Sequence, residues 1–129
     1  MHAKTSPKKL LLVDDSELAL QVEKAFLVNE GFEVRTAATI AACDRILSVW
    51  SPDIVLTDVK MPEMSGPELC RAIKKRLNRL VPVVLFSTLP DAALEELAIR
   101  CGADGHLSKT HGLKQLADQV RELCESILW

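Results

Sequence analysis

Short apolar runs alternate with longer stretches whose apolar positions repeat at helical spacing along the 129 residues. Residues 9–13 are dense enough in Leu and Val for a strand covered on both faces. Ser16 is placed to cap a helix over residues 16–30 that stops at Gly31. Leu18, Val22, Ala25 and Phe26 recur along it with helical period. Residues 33–36 read as a second strand. Thr39 can cap a helix through Ile40, Cys43, Ile46 and Leu47 that ends before Pro52. Residues 54–57 are a third strand, and 58–65 a loop containing Pro62. Ser65 and Glu68 have capping-box spacing, with Pro67 in the first turn of the helix that follows. Residues 83–86 form a fourth strand, 91–100 a helix closed by Gly102, and 105–108 a weak fifth strand. Residues 112–128 are an amphipathic helix with Leu113, Leu116, Val120, Leu123 and Ile127 on one stripe.

Five strands, each followed by a helix, predict an α/β fold: a five-stranded parallel sheet with helices on both faces. Right-handed crossovers leave few topologies, and the common one has strand order 2-1-3-4-5. In that order the chain reverses direction between the first and third strands, and a crevice opens at their carboxyl ends. One domain is expected over residues 8–129, preceded by a flexible segment, residues 1–7.

Hydrophobic residues make up 48% of the chain, enough for a core without staples. The balance of 16 basic against 18 acidic residues, with no basic run, argues against direct nucleic-acid binding. Residues 1–9 lack the apolar region of a signal peptide, and no stretch has membrane-spanning length, so a cytoplasmic protein without membrane contact is expected. Cys43, Cys70, Cys101 and Cys124 are widely spaced without a Cys-x-x-Cys pair, and read as small buried hydrophobes rather than a zinc or redox motif.

The residues just past each strand change the picture. The first strand runs into Asp14 and Asp15, the third into Asp58, the fourth into Ser87, the fifth into Ser108 and Lys109. In a parallel sheet these ends share one edge. Crowded carboxylates repel one another, and a hard divalent cation such as Mg²⁺, with Mn²⁺ as an alternative, relieves the repulsion. A carboxylate beside bound Mg²⁺ can attack a phosphoryl group, while a lysine and a hydroxyl neutralise the charge that develops. A single Asp after a strand is most often a cap or turn residue. The whole set on one edge is hard to read as caps.

Leu10-Leu11-Leu12-Val13-Asp14-Asp15-Ser16 resembles the first-strand acidic motif of response-regulator receiver domains. The stretch from Pro52 through Asp58 to Gly66, with its Met61-Pro62-Glu63-Met64-Ser65-Gly66 tail, resembles their phosphoacceptor motif. Val83-Val84-Leu85-Phe86-Ser87 and Gly102-Ala103-Asp104-Gly105-His106-Leu107-Ser108-Lys109 complete the set, so the likeness covers residues 8 to 128. It implies a flavodoxin-like receiver fold acting as the phosphoacceptor switch of a two-component phosphorelay. Asp58 would accept the phosphoryl group from a histidine kinase or phosphotransfer protein. Asp15 would ligate Mg²⁺ directly, Asp14 as an outer-shell or additional ligand, and the Lys60 carbonyl as a further one. Ser87 and Lys109 would bind the phosphoryl oxygens. Such a domain is no enzyme beyond its own phosphorylation and dephosphorylation. Its surface of fourth helix, fifth strand and fifth helix would control a partner or output domain, with Ser87 and His106 as the switch pair.

Several positions depart from the family pattern. His106 stands where an aromatic is usual; the plain reading is a ring of similar size, the sharper one a pH-sensitive output. Thr110 follows Lys109 where many receivers carry Pro, and Thr88 follows Ser87 where a smaller residue is usual. Lys60 occupies the position of the general acid in aspartyl-phosphate phosphatases of the haloacid-dehalogenase type, which weighs against that alternative. The other alternative is a pseudo-receiver that binds partners without accepting phosphate.

Overall fold

The computed structural model describes residues 8–61, 64–76 and 81–127. Residues 1–7, 62–63 and 128–129, where the flexible segment, part of the motif tail and the end of the last helix are expected, lie outside the described residues. The sheet strands are β1 (Lys9–Val13), β2 (Glu33–Ala37), β3 (Ile54–Thr57), β4 (Val83–Ser87) and β5 (Gly105–Ser108). The helices are α1 (Glu17–Asn29), α2 (Ile40–Val49), α3 (Gly66–Arg76), α4 (Asp91–Cys101) and α5 (Leu113–Ile127). The four pairings of this five-stranded sheet are parallel, in the order β2-β1-β3-β4-β5, as the alternating pattern predicts.

Local chemistry sets the helix ends. The Ser16 hydroxyl accepts from the Ala19 N–H at 3.2 Å and the Thr39 hydroxyl from the Ala42 N–H at 3.0 Å, each satisfying a first-turn donor. α4 closes on Gly102 at φ +75°, a left-handed turn that suits glycine. The loop after β3 holds more order than expected: Lys60–Met61 pairs antiparallel with Met64–Ser65.

Side chains of the central strands β1, β3 and β4 alternate between two cores. Leu11, Val13, Val55, Val83 and Leu85 meet Cys43, Cys70, Leu94, Ala98 and Cys101 from α2, α3 and α4. Leu10, Leu12, Ile54, Leu56, Val84 and Phe86 meet Leu20 and Leu27 of α1 and Leu116, Val120 and Cys124 of α5. All four cysteines are buried thiols.

α1 is turned otherwise than its apolar spacing suggests. Leu18 (72% exposed), Val22 and Ala25 face outward, and the buried residues are Leu20, Glu23 and Leu27. Both sets are helically spaced, and the Glu in the second set hides its inward face from a hydrophobicity count.

Candidate functional site

Register brings the scattered residues to one rim. Val13 pairs with both Ala37 and Thr57, Thr57 with Leu85, and Ser87 with Ser108. Asp14, Asp15, Asp58, Ser87 and Lys109 therefore leave the sheet at the same edge, where β1 and β3 lie side by side but their chain connections diverge. The Asp14 N–H extends the ladder by donating to the Ala37 carbonyl (3.1 Å), and the Asp58 N–H donates to the Val13 carbonyl (2.8 Å).

Asp14, Asp15 and Asp58 each offer a carboxylate oxygen, and these oxygens all lie within 4.8 Å of one another. Asp14 is buried, Asp58 half-buried and Asp15 exposed. One Asp14 oxygen accepts from the Ser16 N–H (2.9 Å), the other from Lys109 Nζ (2.5 Å). Asp58 Oδ1 accepts from the Val59 N–H at 2.7 Å. Burial and then the charge of Asp14 push the Asp58 pKa above the ordinary 3.8, against the pull of the Val59 N–H and Lys109. Burial lowers the affinity of Lys109 for its proton, but Asp14 and Glu23 outweigh it and leave the pKa raised.

Glu23 is the site residue that motif reading missed. Its Oε2 lies 3.1 Å from Lys109 Nζ, and the residue is only 6% exposed. The available signal was a charged residue at position 23 between Leu20 and Leu27, on the face that α1 turns to the core. The Lys109 ammonium also sits 4.8 Å from the centre of the Phe86 ring.

Ser87 and His106, the pair expected to switch, occupy neighbouring strands. The buried Ser87 hydroxyl accepts from the Leu89 N–H at 3.2 Å. His106, half-buried on β5 and paired in register with Leu85, has an enclosed Nδ1 that finds no partner among the described residues. Thr110, in place of Pro, lies in a 3₁₀ turn, Lys109–His111, whose Thr110 N–H donates to the Ser108 hydroxyl at 3.2 Å. The same hydroxyl donates to the Leu89 carbonyl at 2.7 Å, joining the loops after β4 and β5. Lys60 opens the short ladder two residues beyond Asp58. Thr88 is exposed beside Ser87.

The donor set fits a hard divalent cation. Asp14, Asp15 and Asp58 bring three carboxylates together, and the Lys109 ammonium is paired to Asp14. All the donors are oxygens, as Mg²⁺ or Mn²⁺ prefers.

A carboxylate cluster and a lysine at the switch point of a doubly wound parallel sheet form a ligand-binding crevice of the kind found in flavodoxin-like folds. The response regulator receiver domain model matches residues 10–121, and the chain belongs to that family, the receivers of two-component systems. It is 30% identical over 116 residues to the probable transcriptional regulator ycf27 of Cyanophora paradoxa, covering 90% of this chain and 48% of that one. It also resembles the CheY-like receiver domain protein of Methanospirillum hungatei JF-1, with TM-score 0.81, 26% identity and coverage of 94% and 96%. The signal receiver domain of a histidine kinase from Syntrophus aciditrophicus gives TM-score 0.77 at 32% identity, covering 93% and 92%. The chain spans about half the length of the curated relatives it matches. Among the described residues no helix is long and apolar enough to cross a membrane.

Proposed function

We propose that Asp58 is the phosphoryl acceptor of this receiver, with Lys109 and Ser87 as the groups that bind the phosphoryl oxygens. The observation that carries this reading is the convergence of Asp14, Asp15 and Asp58 within 4.8 Å, with Lys109 ion-paired to Asp14. An Asp58 oxygen attacks phosphorus in line. The bond from phosphorus to the donor breaks, its electron pair leaves with the donor group, and an acyl phosphate forms. The raised pKa of Asp58 leaves a basic, hence more nucleophilic, carboxylate once ionised. Lys109 neutralises charge on the transferred oxygens, and the Ser87 hydroxyl can donate to one of them while its oxygen still accepts from the Leu89 N–H. Mg²⁺ held by Asp15, Asp58, the Lys60 carbonyl and Asp14, directly or through water, would offset the carboxylates and polarise the phosphoryl group.

The donor class is a phosphohistidine on a sensor kinase or phosphotransfer protein. Residues 8–129 act as one receiver unit in the cytoplasm, and the surface of α4, β5 and α5 carries the signal to a partner or an output domain. Ser87 turning its hydroxyl toward the phosphoryl group opens room beside it. His106 then turns inward from β5, and its Nδ1 has no hydrogen bond to lose among the described residues.

Intact mass after incubation with acetyl phosphate and Mg²⁺ tests the assignment. The expected result is a gain of one phosphoryl group, absent in Asp58→Asn and absent when metal is chelated. A wild-type protein that stays unmodified at saturating Mg²⁺ removes the assignment.

A further inference from the structure

Glu23 stands apart from the acceptor cluster yet holds its lysine. The Lys109 ammonium lies between Asp14 at 2.5 Å and Glu23 at 3.1 Å. The side chains of both acids are only 7% exposed, and that of Lys109 18%. Asp14 belongs to the metal rim. Glu23 belongs to α1, and with Lys109, Phe86, Leu18, Val22 and Leu113 it lines a cavity of about 360 Å³ between α1 and α5. Asp15 and Asp58 are not among the residues lining that cavity. Glu23 therefore holds the ammonium from the α1 side of the site.

We infer that Glu23 is a positioning residue that tethers Lys109 to α1 and restrains the lysine from closing on a phosphoryl group. The inference rests on the reading of Asp58 as acceptor. Closing on Asp58 is compatible with the Asp14 contact, since Asp14 sits in the acceptor cluster. It strips Glu23 of its counter-ion inside the protein, where an uncompensated carboxylate is costly. The burial that raises the pKa of Glu23 is the same burial that makes the loss expensive. Binding is reciprocal: if phosphorylation weakens the Glu23–Lys109 contact, removing that contact favours phosphorylation by the same factor. The negative charge of Glu23 also repels an anionic donor, so both effects act in one direction.

The test compares wild type, Glu23→Gln and Glu23→Asp, each checked for cooperative unfolding. Initial labelling by phosphoramidate and Mg²⁺ is followed by intact mass, and the Lys109 Nζ resonance by ¹⁵N NMR. Gln keeps the shape and an acceptor oxygen without the charge. Asp keeps the charge but withdraws the carboxylate by one methylene. Initial labelling is expected to rise about fivefold in Glu23→Gln, the equivalent of ~1 kcal/mol off the barrier, because the lysine has left Glu23 by the transition state. Glu23→Asp should also label faster than wild type, and the Nζ resonance should shift in both variants before any donor is added. Labelling that is unchanged or slower in Glu23→Gln overturns the tether. So does a Glu23→Asp protein that labels at the wild-type rate while Glu23→Gln is faster, because charge alone then explains the gain. A wild type that takes no label sinks the acceptor assignment instead. The tether is then judged on the ammonium, and an Nζ resonance common to wild type and Glu23→Gln overturns it.

Discussion

Asp14 and Lys109, 95 positions apart in the chain, form a 2.5 Å ion pair beneath the rim of the sheet. The pair joins the end of β1 to the end of β5 across the intervening strands. It also occupies Asp14: one oxygen takes the ammonium, the other the Ser16 N–H. Asp15, exposed and next in sequence, makes no such commitment to Lys109 and is the freer oxygen donor.

Metal affinity should therefore depend steeply on Asp15. Mg²⁺ is expected to raise the unfolding temperature of the wild type, because a ligand of the native state stabilises it by mass action. Asp15→Asn should shift the Mg²⁺ midpoint by about tenfold, the equivalent of ~1.4 kcal/mol. A thermal-shift titration checks it, and equal midpoints for the two proteins would remove Asp15 from the ligand set.

Lys109 is also a stabilising charge. Its removal leaves Asp14 and Glu23 facing each other in a poorly hydrated site. Lys109→Ala should cost about 2–4 kcal/mol in urea unfolding with chelator present, near the range for breaking a buried pair. Adding Glu23→Gln to that variant should restore part of the loss, a coupling that a double-mutant cycle measures. Additive costs would show that the two side chains do not share the charge.

Asp58 should weaken the fold that carries it. Its folded pKa lies above the ordinary 3.8 because burial and Asp14 disfavour the charge. Between those two values the native state holds the proton that the unfolded chain has released. Stability accordingly falls as pH rises through that window, and the deficit is complete above the folded pKa. Asp58→Asn removes the deficit. The variant should unfold at a higher temperature than wild type at pH 7, by about 3–6 °C for each kcal/mol relieved. The gap should narrow as pH is lowered toward 4. A variant no more stable than wild type at pH 7, measured without divalent metal, contradicts the cause assigned to the shift.

Much of this molecule was legible because its signals are local. The caps Ser16 and Thr39, the stop at Gly102 and the apolar runs of β1, β3 and β4 each carry their instruction within a few residues. The acidic and basic residues at the strand ends became a site as soon as the sheet order was known. Glu23 was not legible, since its partner is 86 positions away by number and its setting is created only when α1 packs on β1, β2 and α5. The short ladder at Lys60–Met61 is another tertiary product, formed by four residues without strand periodicity. The contact through which Ser108 joins the Leu89 carbonyl is likewise invisible without the fold.

The rotation of α1 yields the last prediction. Leu18 and Val22 match an apolar stripe as well as Leu20 and Leu27 do, but only the second pair is buried, at 4% and 0% exposure. Truncating a leucine in a close-packed core loses its transfer free energy and leaves a cavity behind. Leu20→Ala and Leu27→Ala should each cost about 2–5 kcal/mol. Leu18→Gln and Val22→Gln should change stability by no more than about 0.5 kcal/mol, since they alter exposed positions away from the core. Urea midpoints at constant slope distinguish the two sets. A large loss in Leu18→Gln with a small one in Leu27→Ala would mean that α1 presents its other face to the sheet. Glu23 would then be turned away from Lys109, and the tether argued above would lose its geometry.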